Sequence, residues 1–127
     1  MFGMVTGVVN IFGFFVDYQW ILWLAFYVLG GMLLSKKVDS KLFFNSFICG
    51  FLFAAFYYGL EILSFPMYLE NNPQAREMMT ALPEGVTPRM FAGSMGLLIS
   101  VMNGVIFGLV TVGMTNFFKK KELSAGK

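Results

Sequence analysis

Charge is scarce along this chain, and where it occurs it is clustered. Four long stretches, residues 1–16, 18–35, 42–60 and 90–118, carry no charged side chain. Uncharged apolar runs of about 18 residues or more are long enough to cross a bilayer as helices. The pattern predicts helices near 2–16, 19–35, 42–65 and 88–118. The expected fold is an all-α integral membrane protein: one membrane domain, a small bundle of four transmembrane helices, and a short helix on the outer surface.

The first stretch is the shortest. At 1.5 Å per residue it spans about 24 Å, less than the hydrocarbon core of about 30 Å. A helix lying in the interface would carry a Lys/Arg-rich polar face, and this stretch has no charge at all. Insertion is therefore favoured, with Asp17-Tyr18-Gln19 as a tight outer turn and both termini inside. Three helices with an outer N-terminus are the alternative. No basic segment precedes the apolar run, so residues 1–16 do not read as a cleaved signal peptide.

The connection at 66–87 carries its own punctuation. Asn72-Pro73 reads as an N-cap followed by Pro at the first helical position, and Pro83 ends that segment. Ala75, Met78, Met79 and Leu82 can share one apolar face, which predicts a short helix resting on the membrane surface. Glu84-Gly85 makes a turn. Thr87-Pro88 then repeats the cap-plus-proline signal and starts the last membrane helix.

The charged clusters set an orientation. Lys36, Lys37 and Lys41 lie between the second and third runs, and Lys119, Lys120 and Lys121 follow the last. An excess of Lys and Arg marks the cytoplasmic side. The 36–41 loop and the 119–127 tail are thus expected inside, and the 66–87 connection outside. Aromatic residues agree: Tyr18, Trp20 and Trp23 cluster at one outer end, and Tyr57, Tyr58 and Tyr68 at another, as membrane interfaces favour. The expected setting is the cytoplasmic (inner) membrane of a prokaryote.

Composition removes several chemistries. The chain of 127 residues is 57% hydrophobic and 13% charged, which excludes a soluble globular domain. It has no His, so imidazole acid–base chemistry and imidazole metal ligation are excluded. The single Cys, Cys49, cannot form an intrachain disulfide and reads as a small apolar filler. A net charge of +2 comes from lysines at membrane ends and gives no nucleic-acid patch. No metal or cofactor is expected, and bound lipid is left open by the sequence.

The helix faces carry a second pattern. Ala92, Gly96, Ser100, Gly104 and Gly108 recur every four residues in the last run, and Asn103 falls on the same side. Small residues at this spacing let two helix backbones approach closely, which supplies association energy where lipid gives no hydrophobic drive. Ser46, Gly50 and Ala54 repeat the device in the third run, and Gly3, Thr6, Asn10, Gly13 and Asp17 share a side of the first. These faces suit either the interior of one bundle or docking on another chain. Asn103, and with less force Asn10 and Asn45, are expected to act as hydrogen-bonding glue.

Candidate chemistry centres on Glu61, which is flanked on both sides by apolar helix and has Tyr57 and Tyr58 at i−4 and i−3. Ionisable groups inside a membrane are costly and point to function. Buried there, a carboxyl group can hold a proton near neutral pH. Asp17, expected at similar depth, could share a proton or cation with it. The bland readings are a snorkelling Glu61 and an Asp17 that merely makes a turn. Arg76, Arg89 and Glu77 form a polar outer surface suited to an outer partner.

Nothing in the chain resembles a catalytic constellation, and no enzyme activity is expected. The leading expectation is an accessory or assembly subunit of a larger membrane complex, packed through its small-residue faces against other integral membrane subunits. The alternative is a small homo-oligomeric transporter or channel, coupled to protons or cations through Glu61.

Overall fold

The computed structural model describes residues 2–13, 18–38 and 40–125, with side chains as far as 118. Six helices follow one another, and no strand occurs among the described residues. They are α1 (Phe2–Ile11), α2 (Gln19–Lys37), α3 (Leu42–Leu63), α4 (Phe65–Asn71), α5 (Pro73–Thr80) and α6 (Pro88–Ala125). Three of them, α2, α3 and α6, are long and apolar enough to cross a membrane.

Local chemistry sets the boundaries. Gly13 adopts φ +70°, a left-handed conformation that glycine tolerates, and its N–H bonds the Asn10 carbonyl at 2.9 Å. That turn stops α1 at Ile11, five residues short of the end expected from the apolar run. Pro66, Pro73 and Pro88 each fall in the first turn of a helix, where a missing N–H costs nothing. The surface segment is thus two short helices, α4 and α5, and Leu82 lies beyond the end of α5. Asn72 precedes Pro73 as expected but makes no side-chain cap.

The bundle is organised around α3, which packs most extensively on α6 and next on α1. α3 and α6 run antiparallel and touch through their small residues. A Cβ added at Gly50 would lie 3.1 Å from the Gly104 Cα, and one at Gly104 would lie 2.8 Å from the Phe47 carbonyl oxygen. Gly108 faces Phe43 and Gly96 faces Tyr58 in the same way. Ser46, Gly50, Ala54, Gly96, Ser100, Asn103, Gly104 and Gly108 are all buried, with Ala92 half-buried at the end of the row. The two small-residue faces found in the sequence therefore fill one another within a single chain.

α1 packs on α3 by a parallel close approach. Gly3 sits against the Phe53 backbone, Gly7 against the Tyr57 carbonyl, and Asn10 reaches Glu61. α1 accordingly runs beside only the 53–61 part of α3. With ten residues it measures about 15 Å, half of a hydrocarbon core. The full-length first crossing expected from residues 2–16 is not formed by the described residues.

α2 is the loosest of the long helices, and Gly31 is its one buried residue. A π-helical segment, Phe26–Gly30, interrupts it. There Phe26 stacks on Phe53 at a centroid distance of 3.9 Å and lies 4.6 Å from Phe107, while Gly30 lets α2 sit close to Phe107. Tyr27 donates to Asn103 Oδ1, and Asn103 Nδ2 donates to the Gly50 carbonyl. One amide on α6 thus ties α2 and α3 together, and the hydrogen-bonding role expected of Asn103 is met within the chain.

Candidate functional site

The polar side chains of the bundle gather at the end of α3 that leads into α4. Glu61 lies in the last turn of α3 and is only 7% exposed. Its position follows from helix geometry, since Tyr57 lies on the preceding turn of the same face and Gly7 brings α1 against that turn. Asn10 Nδ2 donates to Glu61 Oε1, and Tyr57 lines one cavity with Glu61 from a turn earlier on α3. Gln19 Nε2, from the first turn of α2, donates to the Tyr57 oxygen.

A second strand of bonds fixes α1 to the short helices. Asn72 Nδ2 donates to the Asn10 carbonyl at 3.0 Å and to the Tyr68 carbonyl at 2.9 Å. The Asn72 amide, which the sequence suggests as a helix cap, instead holds α4 against the end of α1. This buried amide joins two segments 62 positions apart.

These elements enclose a cavity of about 520 Å³ lined by Asn10, Gln19, Tyr57, Tyr58, Glu61, Tyr68, Asn71, Asn72, Pro73, Gln74, Ala75 and Met78. No lysine or arginine lines it, and Glu61 has no cationic partner among the described residues. Tyr68, on α4, is half-buried. Burial first, and then the nearby Glu61 charge, push its hydroxyl up to about 12 against an opposing Asn10 hydrogen bond, so it remains a protonated donor at neutral pH.

Of the residues singled out in the sequence, Glu61, Tyr57 and Tyr58 meet in this cavity, and Asn10 joins them. Tyr57 is buried at 3% exposure. Trp23 also turns inward, edge-on to Phe53 and Tyr57, whereas Tyr18 and Trp20 are exposed. Asp17 lies outside the described residues. Arg76, Glu77 and Arg89 are exposed and do not line the cavity. Cys49 is exposed on α3 and is not a core filler. Of the other cavity residues, the sequence marks Gln19, Tyr68 and Asn72 only as turn, interface and cap residues, and it does not mark Asn71 and Gln74 at all. The shared face of Gly3, Thr6, Asn10 and Gly13 read in the sequence hints that α1 docks closely enough to deliver Asn10.

No protein-family model, curated protein sequence or solved structure matches this chain.

Proposed function

We propose that this is a small multi-pass membrane protein that binds a cation at Glu61, as the loading site of a transporter or channel. One observation carries the reading: a buried carboxylate, oriented by the neutral Asn10 amide and without a cationic partner among the described residues, faces a cavity large enough for a ligand. A buried carboxylate must be protonated or compensated. Either state lets the site exchange a proton for a cation. In this reading α2, α3 and α6 cross the membrane, α1 enters to half depth beside α3, and the cavity faces outward, opposite the lysine-rich ends.

The test is flux through proteoliposomes containing the purified chain, followed with a pH-sensitive dye under imposed cation gradients. Glu61→Gln should abolish flux while the protein still purifies and assembles as before. Unchanged flux in that variant sinks the reading.

The accessory-subunit reading keeps one observation in its favour. α2 presents Trp20, Ile21, Leu24, Val28, Leu29 and Leu33 away from the bundle, a face that lipid or a partner helix would cover. It loses another, because the small-residue faces of α3 and α6 are occupied within the chain. Native mass spectrometry of the gently extracted assembly decides between them: other chains in fixed ratio support the subunit, and a lone chain or symmetric homo-oligomer supports the transporter.

A further inference from the structure

The walls of the cavity narrow the kind of cation it would hold. Glu61 is the one carboxylate among the described lining residues, and no group of three acidic, Cys or His side chains suited to a metal occurs among the described residues. Hard inorganic cations take six or more oxygen ligands at short range, and a space of about 520 Å³ is in the range of small-molecule sites. Three tyrosines, Tyr57, Tyr58 and Tyr68, line the space with Glu61, and the rings of Tyr57 and Tyr58 meet edge to face at 4.9 Å. Met78, on α5, adds a polarisable thioether to the lining. Aromatic faces around a carboxylate suit a diffuse positive charge on an apolar body.

The geometry points to an organic ammonium ion as the occupant: a protonated or quaternary amine whose charge meets Glu61 and whose alkyl groups lie against Tyr57, Tyr58, Tyr68 and Met78. This rests on the reading of the cavity as a cation site. The same chemistry is offered by a free amine and by the headgroup of phosphatidylcholine or phosphatidylethanolamine, and the cavity lies where a bundle of this kind would meet headgroups.

The experiment is isothermal titration calorimetry on the full chain in delipidated detergent micelles, with choline, tetramethylammonium, sodium and potassium as probes. Choline and tetramethylammonium should bind saturably, while sodium and potassium at equal concentration should neither bind nor compete. Glu61→Gln should weaken choline by at least tenfold. Should that variant fail to fold, the Tyr68 pair serves: Tyr68→Phe should keep most of the affinity, and Tyr68→Leu should lose about fivefold. A loss in Tyr68→Phe equal to that in Tyr68→Leu would assign the hydroxyl, not the ring, and overturn the proposal.

Binding of sodium or potassium through Glu61 without any ammonium binding also overturns it, yet leaves the cation site standing. No Glu61-dependent binding of any probe overturns both. Nanodiscs then separate the sources. Choline binding in phosphatidylglycerol discs that disappears in phosphatidylcholine discs identifies a headgroup site, and equal binding in both identifies a site for the free amine.

Discussion

Single atoms decide much of this structure. A Cβ added at Gly104 would lie 2.8 Å from the Phe47 carbonyl oxygen and 2.9 Å from its ring, so neither backbone nor ring leaves room for it. Gly104→Ala should therefore destabilise the chain by about 1–3 kcal/mol through overpacking. Gly59 offers the contrast, since nothing lies within 4 Å of its added Cβ. Gly59→Ala should stabilise α3 by about 0.5–1 kcal/mol through reduced backbone entropy. Reversible unfolding in mixed micelles measures both, and equal effects would contradict the packing described for α3 and α6. Asn103 is the polar counterpart. Asn103→Leu removes the acceptor of Tyr27 and the donor to Gly50, at an expected cost of about 1–2 kcal/mol. Tyr27→Phe in that background should add little, because the two side chains act as one bond.

Among the elements, α1 shows how a short helix can govern a site it barely enters. Its glycines set its distance from α3, and its last turn delivers Asn10 to Glu61. Gly7→Leu would meet the Tyr57 carbonyl and Leu60, each near 3.1–3.2 Å from the first added carbon, and should lever α1 away. Choline affinity should then fall at least tenfold with Glu61 intact, a result calorimetry can read against circular dichroism that shows α2, α3 and α6 still helical. The long helices were legible in the sequence because charge exclusion and four-residue spacing are local properties. The end of α1 was not, because it depends on a left-handed turn at Gly13 that also fits the chain closely against the Asn71 carbonyl. Nor was the π-helical segment of α2, which satisfies the stacking of Phe26 between Phe53 and Phe107 and leaves no mark in the local apolar pattern.

At the scale of the whole molecule, the chain divides by depth. Toward Phe43 and Gly108 it is a close zipper of small and aromatic residues; toward Glu61 it opens into amides, hydroxyls and a cavity. Glu61 itself could be singled out from the sequence by its apolar flanks. Its surroundings from other helices could not, because Asn10 reaches it, and Gln19 and Tyr68 line the cavity beside it, only through the way the helices assemble. Two checks belong at this scale. Cation binding needs the charged carboxylate, and among the described residues the titratable groups that line the cavity with it are Tyr57, Tyr58 and Tyr68. These remain neutral in the acid range, so affinity should fall as pH is lowered and Glu61 takes up a proton, with Glu61→Gln flat across the same range. For orientation, single cysteines at Ser40 and Glu77 in a Cys49→Ala background should react oppositely with an impermeant maleimide: Glu77→Cys in intact cells, Ser40→Cys only after permeabilisation.

The inward turn of Trp23 has an optical consequence. The chain has two tryptophans. Trp20 is 63% exposed, whereas Trp23 stands edge-on to Phe53 at 5.0 Å and to Tyr57 at 5.5 Å. With Trp20 replaced by Phe, Trp23 becomes the sole indole emitter, close enough to Tyr57 to collect its excitation energy. Because Tyr57 also accepts a hydrogen bond from Gln19 and lines the cavity with Glu61, a ligand that moves Tyr57 alters the surroundings of that emitter. Excitation of tyrosine with detection at tryptophan wavelengths would then follow the site without an added dye.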